Sequence, residues 1–193
     1  MNKRRCVFFD RDGIVNESPG EGYVERWSDF RLLPAFVKSL RVARDMGYDA
    51  VVVTNQRGVA LGVMALETVE DMHRRLKESL RQDGLELLDV RLCPHDRDQC
   101  ECRKPKPGML LQAARQHGID LSASWMVGDQ EKDIEAGRRA GCRTIRVAPA
   151  GTETVADYRA DDMEALPELL ARVLTREVRI QKSEVRSQNS EHR

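Results

Sequence analysis

The sequence predicts an α/β fold, a Rossmann-like parallel sheet with helices on both faces and no large cap domain. Short apolar runs alternate with segments of helical periodicity along most of the 193 residues. Short, continuous apolar runs are typical of strands buried on both faces. Strands that alternate with helices form parallel sheets with right-handed crossovers. The loops after Gly13 and Gly58 are short, which leaves no room for a large cap.

The first half of the chain contains three predicted strands and two predicted helices. Residues 5–9 (RCVFF) are apolar after Arg5, and residues 50–53 (AVVV) are apolar throughout. Both runs are too short for helices, so each predicts a strand. Pro34 begins a helical pattern that ends at Gly47, since proline favours the first turn and glycine a helix end. Residues 66–83 carry one apolar face and predict a second helix, followed by a strand at 87–92.

The second half continues the alternation and completes a single domain. We expect helices at 107–117, 131–140 and 164–174, with strands at 124–127, 144–147 and 156–161. The domain therefore covers residues 1–175. The tail at 176–193 has little apolar content, and we expect it to be disordered.

Composition excludes several function classes. The 32 basic and 32 acidic residues cancel, which argues against a general nucleic-acid-binding protein. No apolar stretch approaches the roughly 20 residues that span a bilayer, and the N-terminal apolar run is too short for a secretory signal. We expect a cytoplasmic monomer that binds neither nucleic acid nor membrane.

Two pairs of carboxylates follow predicted strands. Asp10 and Asp12 follow the strand at 5–9, and Asp129 follows the strand at 124–127, with Asp133 in the next helical turn. Such strand ends carry the ligand sites of open α/β sheets. Carboxylates there suit Mg²⁺, which can bridge to a phosphate. An isolated DxDG is equally an ordinary turn, and Asp133 alone could be only a charge at a helix start.

Two further segments have phosphate-binding chemistry. Thr54-Asn55-Gln56 places a hydroxyl and backbone amides at another strand end, and Arg103-Lys104 places two adjacent cations before Pro105. Either segment alone is ordinary surface chemistry. All four features in this order are much harder to obtain by accident.

In these four motifs the sequence resembles the haloacid dehalogenase superfamily of aspartate-dependent phosphatases, over residues 5–150. The resemblance implies that Asp10 is the nucleophile that forms an aspartyl phosphate and that Asp12 is the acid and base. It implies Mg²⁺ held by Asp10, the Asp12 backbone carbonyl and Asp129. It further implies phosphoryl binding by Thr54 and Lys104, with Asp133 orienting Lys104 or the metal waters.

A cysteine-rich segment lies directly before Arg103 and Lys104. CPHDRDQCEC supplies three sulfurs and one imidazole, the ligand set of a closed structural zinc site: Cys93, His95, Cys100 and Cys102. The alternative is a loop that is cysteine-rich by chance. Bound zinc would fix the direction of the two following cations. The remaining thiols, Cys6 and Cys142, have apolar neighbours and are expected to be buried.

This loop resembles the zinc-containing branch of the superfamily, which includes phosphatases of D-glycero-D-manno-heptose 1,7-bisphosphate and of histidinol phosphate. The segments 22–24 (GYV) and 104–109 (KPKPGM) favour the heptose enzymes, whereas the short spacing from His95 to Cys100 is closer to the histidinol enzymes. The substrate implied is a small phosphorylated metabolite. A phosphosugar-binding module without turnover is the competing function, although it would need no acid beside the nucleophile.

Three positions depart from the heptose pattern. Arg57 stands where a small residue is usual, Leu61 where arginine is usual and Gln130 where lysine is common. We hypothesise that Arg57 binds a second phosphate or a sugar hydroxyl, the alternative being a solvated surface charge. His73 and His117 are expected at the surface.

Overall fold

The computed structural model describes residues 3–177, so residues 178–193 of the predicted tail lie outside the described part. Six parallel strands form one sheet: β1 (Cys6–Phe9), β2 (Asp49–Asn55), β3 (Asp89–Cys93), β4 (Trp125–Gly128), β5 (Arg143–Val147) and β6 (Tyr158–Ala160). The helices are α1 (Pro34–Asp45), α2 (Arg57–Ala60), α3 (Leu66–Gln82), α4 (Gly108–His117), α5 (Glu131–Ala140) and α6 (166–177). Two short 3₁₀ turns lie at Trp27–Asp29 and Leu121–Ala123.

The strand order is β3-β2-β1-β4-β5-β6. The direction of progression reverses between β1 and β4, and open α/β sheets bind ligands at the carboxyl ends of strands beside such a reversal. The predicted Rossmann-like α/β fold is confirmed. Asp10 directly follows β1 and Asp129 directly follows β4, so two of the predicted carboxylates lie at this position.

Each face of the sheet packs against its own set of helices. Along β1, Val7 and Phe9 join one core with α1, α3 and α6, whereas Cys6 and Phe8 join the other with α4 and α5. This alternation follows from the two-residue period of a strand. Because β1 is buried on both faces, all four of its residues are apolar.

Element boundaries differ from the predictions by one to three residues in places. β3 begins two residues later than predicted and extends to Cys93. Pro107 precedes α4 rather than opening it. The final helix continues through residue 177, beyond the predicted domain end at 175. In the described range, no helix combines the length and apolar character needed to cross a bilayer.

One prediction about a histidine is wrong. His73 was expected at the surface, yet it is 5% exposed and lies on the buried face of α3. Its spacing from Val69, Leu76 and Leu80 matches the apolar stripe of that helix, since residues three, four and seven apart share a face. His117 is half-buried and pairs with Asp89 at 2.8 Å between Nε2 and Oδ2.

Candidate active site

A buried lysine joins two of the predicted carboxylates. Lys104 Nζ lies 2.5 Å from Asp10 Oδ1, 2.8 Å from Asp133 Oδ1 and 2.9 Å from the carbonyl oxygen of Val53. The lysine side chain is fully buried, and Asp10 and Asp133 are almost so. A buried charge is tolerated when it is paired and hydrogen-bonded, which is the case for this ammonium group.

Negative charge exceeds positive charge at this point. Ligand oxygens of Asp10, Asp129 and Asp133 lie within 4.8 Å of one another around the single Lys104 cation. Burial, followed by repulsion from Asp133, raises the pKa of Asp10 to about 7 and that of Asp129 to about 6. Asp10 and Asp133, with burial opposing them, raise the pKa of Lys104 above its ordinary value. The cluster is therefore short of positive charge.

Two glycines allow these carboxylates to approach the backbone. Gly13 has φ +89°, and a Cβ there would lie 2.5 Å from Asp129 Oδ2. A Cβ on Gly128 would lie 2.3 Å from the Cβ of Asp133. Asp133 also accepts from the backbone N–H of Gln130 at 3.1 Å and thereby caps α5. The glycines in DRDG and GDQ are thus needed for space.

Asp12 is held by residues that sequence reasoning missed. Arg11 donates to both Asp12 oxygens at 2.8–3.0 Å, and Asn16 Nδ2 donates to Oδ1 at 2.9 Å. Arg11 is 1% exposed and Asn16 is fully buried, so these hydrogen bonds to Asp12 are shielded from solvent. The sequence could have indicated this contact, because Arg11 is a cation placed between two aspartates directly after an apolar strand.

The Thr54-Asn55-Gln56 segment lies where β2 ends, beside the carboxylates. Gln56 Nε2 donates to Thr54 Oγ1 at 2.7 Å and lies 3.4 Å from Asp12 Oδ2. The Asn55 side chain binds the Lys104 backbone twice, donating to its carbonyl oxygen at 3.0 Å and accepting from its N–H at 3.1 Å. Asn55 therefore fixes the position of Lys104, which no strand or helix contains.

The four predicted zinc ligands come together. Cys93 Sγ lies 3.5 Å from Cys100 Sγ, and Cys102 Sγ lies 3.3 Å from both Cys100 Sγ and His95 Nδ1. Ligands about 2.3 Å from a tetrahedral ion would be roughly 3.8 Å apart, close to these separations. The three sulfur atoms and the imidazole nitrogen fall within 4.8 Å of one another, and no disulfide joins the described cysteines. Cys6 and Cys142 are buried as expected.

Arg57 contacts the cysteine-rich loop. Its Nε donates to Asp96 Oδ1 at 2.5 Å, and Nη2 lies 3.5 Å from Oδ2. This pairing lowers the pKa of Asp96. Arg57 thus links α2 to the loop between His95 and Cys100. Leu61 is 47% exposed, and Gln130 caps α5 with its side chain.

The donor atoms at both clusters fit metal ions. Asp129 Oδ1 is buried and has no hydrogen-bond partner within residues 3–177, an arrangement that a cation at the acidic cluster would satisfy. Carboxylate oxygens suit Mg²⁺. Three thiols with one imidazole suit Zn²⁺.

Comparisons with known proteins identify similar chains. Residues 101–175 match the HAD-hydrolase-like family model. The chain is 36% identical to D-glycero-alpha-D-manno-heptose-1,7-bisphosphate 7-phosphatase of Photorhabdus laumondii, over 79% of this chain and 87% of that protein. It is 37% identical to D-glycero-beta-D-manno-heptose-1,7-bisphosphate 7-phosphatase of Pseudomonas aeruginosa, over 75% of this chain and 81% of that protein.

Solved structures are similar as well. D,D-heptose 1,7-bisphosphate phosphatase from B. bronchiseptica, complexed with magnesium and phosphate, superposes with a TM-score of 0.75 at 29% identity. The match covers 87% of this chain and 98% of that one. A HAD-like phosphatase from Mesorhizobium loti gives a TM-score of 0.76 at 30% identity, covering 90% and 87%.

Proposed function

The chain belongs to the haloacid dehalogenase-like family of heptose 1,7-bisphosphate 7-phosphatases, and on that premise we propose that it hydrolyses the 7-phosphate of D-glycero-D-manno-heptose 1,7-bisphosphate. The observation that carries the proposal is the group formed by Asp10, Lys104 and Asp133 at the sheet reversal. The relatives are named for both anomers of the heptose, so the proposal covers the reaction at the 7-phosphate and not one anomer.

Asp10 is the proposed nucleophile. A carboxylate oxygen of Asp10 attacks phosphorus, the bond from phosphorus to the sugar oxygen breaks, and an aspartyl phosphate forms. Lys104 supports this step because its ammonium group, 2.5 Å from Asp10, offsets the repulsion between carboxylate and phosphate. The hydroxyl of Thr54 is the second proposed donor to the bound phosphate. Gln56 holds the Thr54 hydroxyl, and Asn55 holds the backbone of Lys104.

Asp12 is the proposed acid and base. It gives a proton to the departing sugar oxygen and then takes one from the water that hydrolyses the aspartyl phosphate. Arg11 and Asn16 hold the Asp12 carboxylate in place at the end of β1 through their hydrogen bonds.

Mg²⁺ is the proposed catalytic cofactor, with Asp10, the Asp12 backbone carbonyl and Asp129 as ligands. When bound, it supplies positive charge that neutralises the transferring phosphoryl group. The excess of buried carboxylates and the unpaired Asp129 Oδ1 support this assignment. Asp133 pairs with Lys104 and holds it in position.

Zn²⁺ is the proposed structural cofactor, with Cys93, His95, Cys100 and Cys102 as ligands. Four protein ligands leave no open position for a catalytic water, so the role of the ion would be structural. Binding all four ligands would order the loop that carries them. Arg103 and Lys104 directly follow the last ligand, and Arg103 Nη1 already lies 3.4 Å from the carbonyl oxygen of His95. Ordering the loop therefore positions two phosphate-binding cations.

A phosphate-release panel with the magnesium- and zinc-loaded protein tests the proposed function. We expect the heptose bisphosphate to be the preferred substrate over histidinol phosphate, fructose 1,6-bisphosphate and nucleotides. Asp10→Asn should lower kcat by at least about 10³-fold, because the amide is not a nucleophile, while circular dichroism stays that of the wild type. No release from any ester would contradict the proposal, and preference for histidinol phosphate would revise the substrate.

Cys100→Ser separates the two proposed metals. We expect loss of bound zinc, measured by atomic absorption, and a partial loss of kcat/KM of about 10- to 100-fold, because the loop cations become mobile while Asp10 is intact. Cys142→Ser is the matched control, since Cys142 is a buried thiol outside the cluster. Full activity without zinc would contradict the positioning role.

We also propose a cytoplasmic monomer. The described cysteines are free thiols, which suits the reducing cytosol and is required of zinc thiolates. Light scattering coupled to size-exclusion chromatography would measure the oligomeric state.

A further inference from the structure

Asp129, a proposed magnesium ligand, lies in a connection that belongs to no strand or helix. β4 ends at Gly128 and α5 begins at Glu131, so Asp129 lies between the two elements. Its Oδ1 is buried without a hydrogen-bond partner within residues 3–177. The position of such a ligand depends on the groups that hold its backbone, and these groups commonly set metal affinity.

Arg146 of β5 contacts this connection from the neighbouring strand. β5 pairs with β4, and Arg146 stands in register with Gly128, the residue before Asp129. The Nε of Arg146 donates to the carbonyl oxygen of Asp129 at 3.4 Å. The Arg146 side chain is 15% exposed, so this contact is largely shielded from solvent. Arg146 therefore contacts the backbone of the ligand from a fixed strand position.

Two shorter contacts hold the Arg146 guanidinium in place. Its Nη1 donates to Glu131 Oε2 at 2.5 Å and to the carbonyl oxygen of Glu153 at 2.8 Å. Glu131 begins α5, and its Oε1 accepts from the backbone N–H of Val155 at 2.9 Å. The guanidinium thus joins β5, the start of α5 and the segment 148–157 that leads to β6. Because the group is planar and Nη1 has two partners, the direction of the Nε–H bond is fixed as well.

The charge of Arg146 is paired with Glu131, which lies outside the acidic cluster. The carboxylates that lie within 4.8 Å of one another are those of Asp10, Asp129 and Asp133. Without Arg146, Glu131 would add an unpaired negative charge two residues from Asp129. By charge alone, loss of Arg146 would therefore strengthen the binding of a cation at this cluster.

We propose that Arg146 is a positioning residue for Mg²⁺, which holds the backbone of Asp129 so that its carboxylate faces the acidic cluster. This inference rests on the proposed function, in which Asp129 is a magnesium ligand. Groups that orient a metal ligand change metal affinity by roughly 10- to 100-fold when they are removed. Loss of the positioning contact therefore weakens Mg²⁺ binding, the opposite of what charge alone predicts.

Calorimetric titration of Mg²⁺ alone into the full chain, with zinc retained, measures this affinity without turnover. In Arg146→Met we expect the Kd for Mg²⁺ to rise by about 10-fold. Arg146→Lys keeps a cation beside Glu131 and so protects the fold, but an ammonium group does not reproduce the fork of a guanidinium. Its Kd should rise by about 3-fold or more. In phosphate-release assays, the Mg²⁺ concentration that gives half of full activity should rise by the same factors, with kcat recovered at saturating Mg²⁺.

Arg138→Met is the matched control. Arg138 is an exposed arginine of α5 that donates to the carbonyl oxygen of Val155 at 2.9 Å. It holds the same segment 148–157 as Arg146 does, and its hydrogen bonds within the described residues do not include Asp129. We expect the Kd of Arg138→Met for Mg²⁺ to match that of the wild type.

The outcomes separate this inference from the proposed function. An unchanged or lower Kd in Arg146→Met would overturn the positioning role and leave the phosphatase and its magnesium site intact. An equal rise of Kd in Arg138→Met would also overturn it, because the effect would then come from the segment 148–157. A wild-type chain that hydrolyses phosphate esters without binding Mg²⁺ would contradict the proposed cofactor, and this inference with it.

Discussion

His73 shows how one buried side chain can link stability to pH. Burial in α3, followed by the positive charge of Arg11, lowers its pKa to about 3, and its Nε2 has no hydrogen-bond partner within the described residues. The folded protein therefore holds a neutral imidazole where the unfolded chain, with a histidine pKa near 6.5, takes up a proton. Its effect on stability appears as pH falls below about 6.5.

We predict that His73→Leu reduces the acid sensitivity of folding. Because the unfolded state binds the proton more tightly, His73 should cost the wild type about 2 kcal/mol of unfolding free energy between pH 8 and pH 5. Urea unfolding of both proteins at the two pH values measures the difference. The same change with pH in both would show that His73 is protonated or exposed in the folded protein.

Residue types explain why the group of carboxylates with Lys104 could be predicted from the sequence and other contacts could not. Asp10, Asp129 and Lys104 follow recognisable strand ends or motifs, and their proximity follows from the parallel order of the strands. The pairing of Arg57 with Asp96 joins residues 39 apart in unrelated segments, so no local pattern predicts it. His73 carries the periodicity of a core residue, but its polarity argued for the surface.

At the scale of elements, the cysteine-rich loop and α2 act on each other through one ion pair. Arg57 begins α2 directly after Thr54-Asn55-Gln56 at the end of β2, and Asp96 lies in the loop that leads to Lys104. Both side chains are about 30% exposed, so solvent screens the pair and its effect on global stability should be small. The pair should matter more for the position of the loop, which turnover measurements can report, than for the free energy of unfolding.

We predict that Arg57 and Asp96 act as a unit in turnover. Arg57→Ala and Asp96→Ala should each lower kcat/KM by about 3- to 10-fold on every phosphate ester, and the double variant should be no worse than either. Steady-state assays of the three variants on a bisphosphate and a monophosphate complete the cycle. A loss confined to the bisphosphate would instead indicate direct contact between Arg57 and the second phosphate.

At the scale of the whole molecule, the acidic cluster joins the two halves of the sheet. Asp10 belongs to the half that begins with β1, whereas Asp129 and Asp133 belong to the half that begins with β4. Their mutual repulsion opposes the packing of the two halves against each other, and bound Mg²⁺ would reduce that repulsion. Magnesium should therefore stabilise the folded chain as well as the reaction.

We predict that Asp129→Asn stabilises the magnesium-free protein and abolishes the further stabilisation that magnesium gives to the wild type. Without the ion at pH 8, the variant should be more stable by up to about 3 kcal/mol, since it lacks a carboxylate whose pKa is raised to about 6. This advantage should shrink as pH falls from about 6 to 3.8. With Mg²⁺ at about ten times its Kd, the wild type should gain about 1.4 kcal/mol and the variant almost none.

Thermal unfolding with and without added magnesium, with zinc retained in both, measures this prediction. A variant that responds to magnesium as the wild type does would exclude Asp129 as a ligand. A variant less stable than the wild type in both conditions would show that the carboxylate has a packing role.

The two hydrogen bonds between the Asn55 side chain and the Lys104 backbone determine where the cysteine-rich loop can accept insertions. At one end of the intervening segment, Cys93 completes β3 and accepts from the backbone N–H of Gln56; at the other, Lys104 is fastened to Asn55. Both ends are thus attached to consecutive residues of the same neighbouring segment. Residues 94–103 thus form a loop held at both ends, so insertions within it can change the shape of the loop while Lys104 keeps its place beside Asp10.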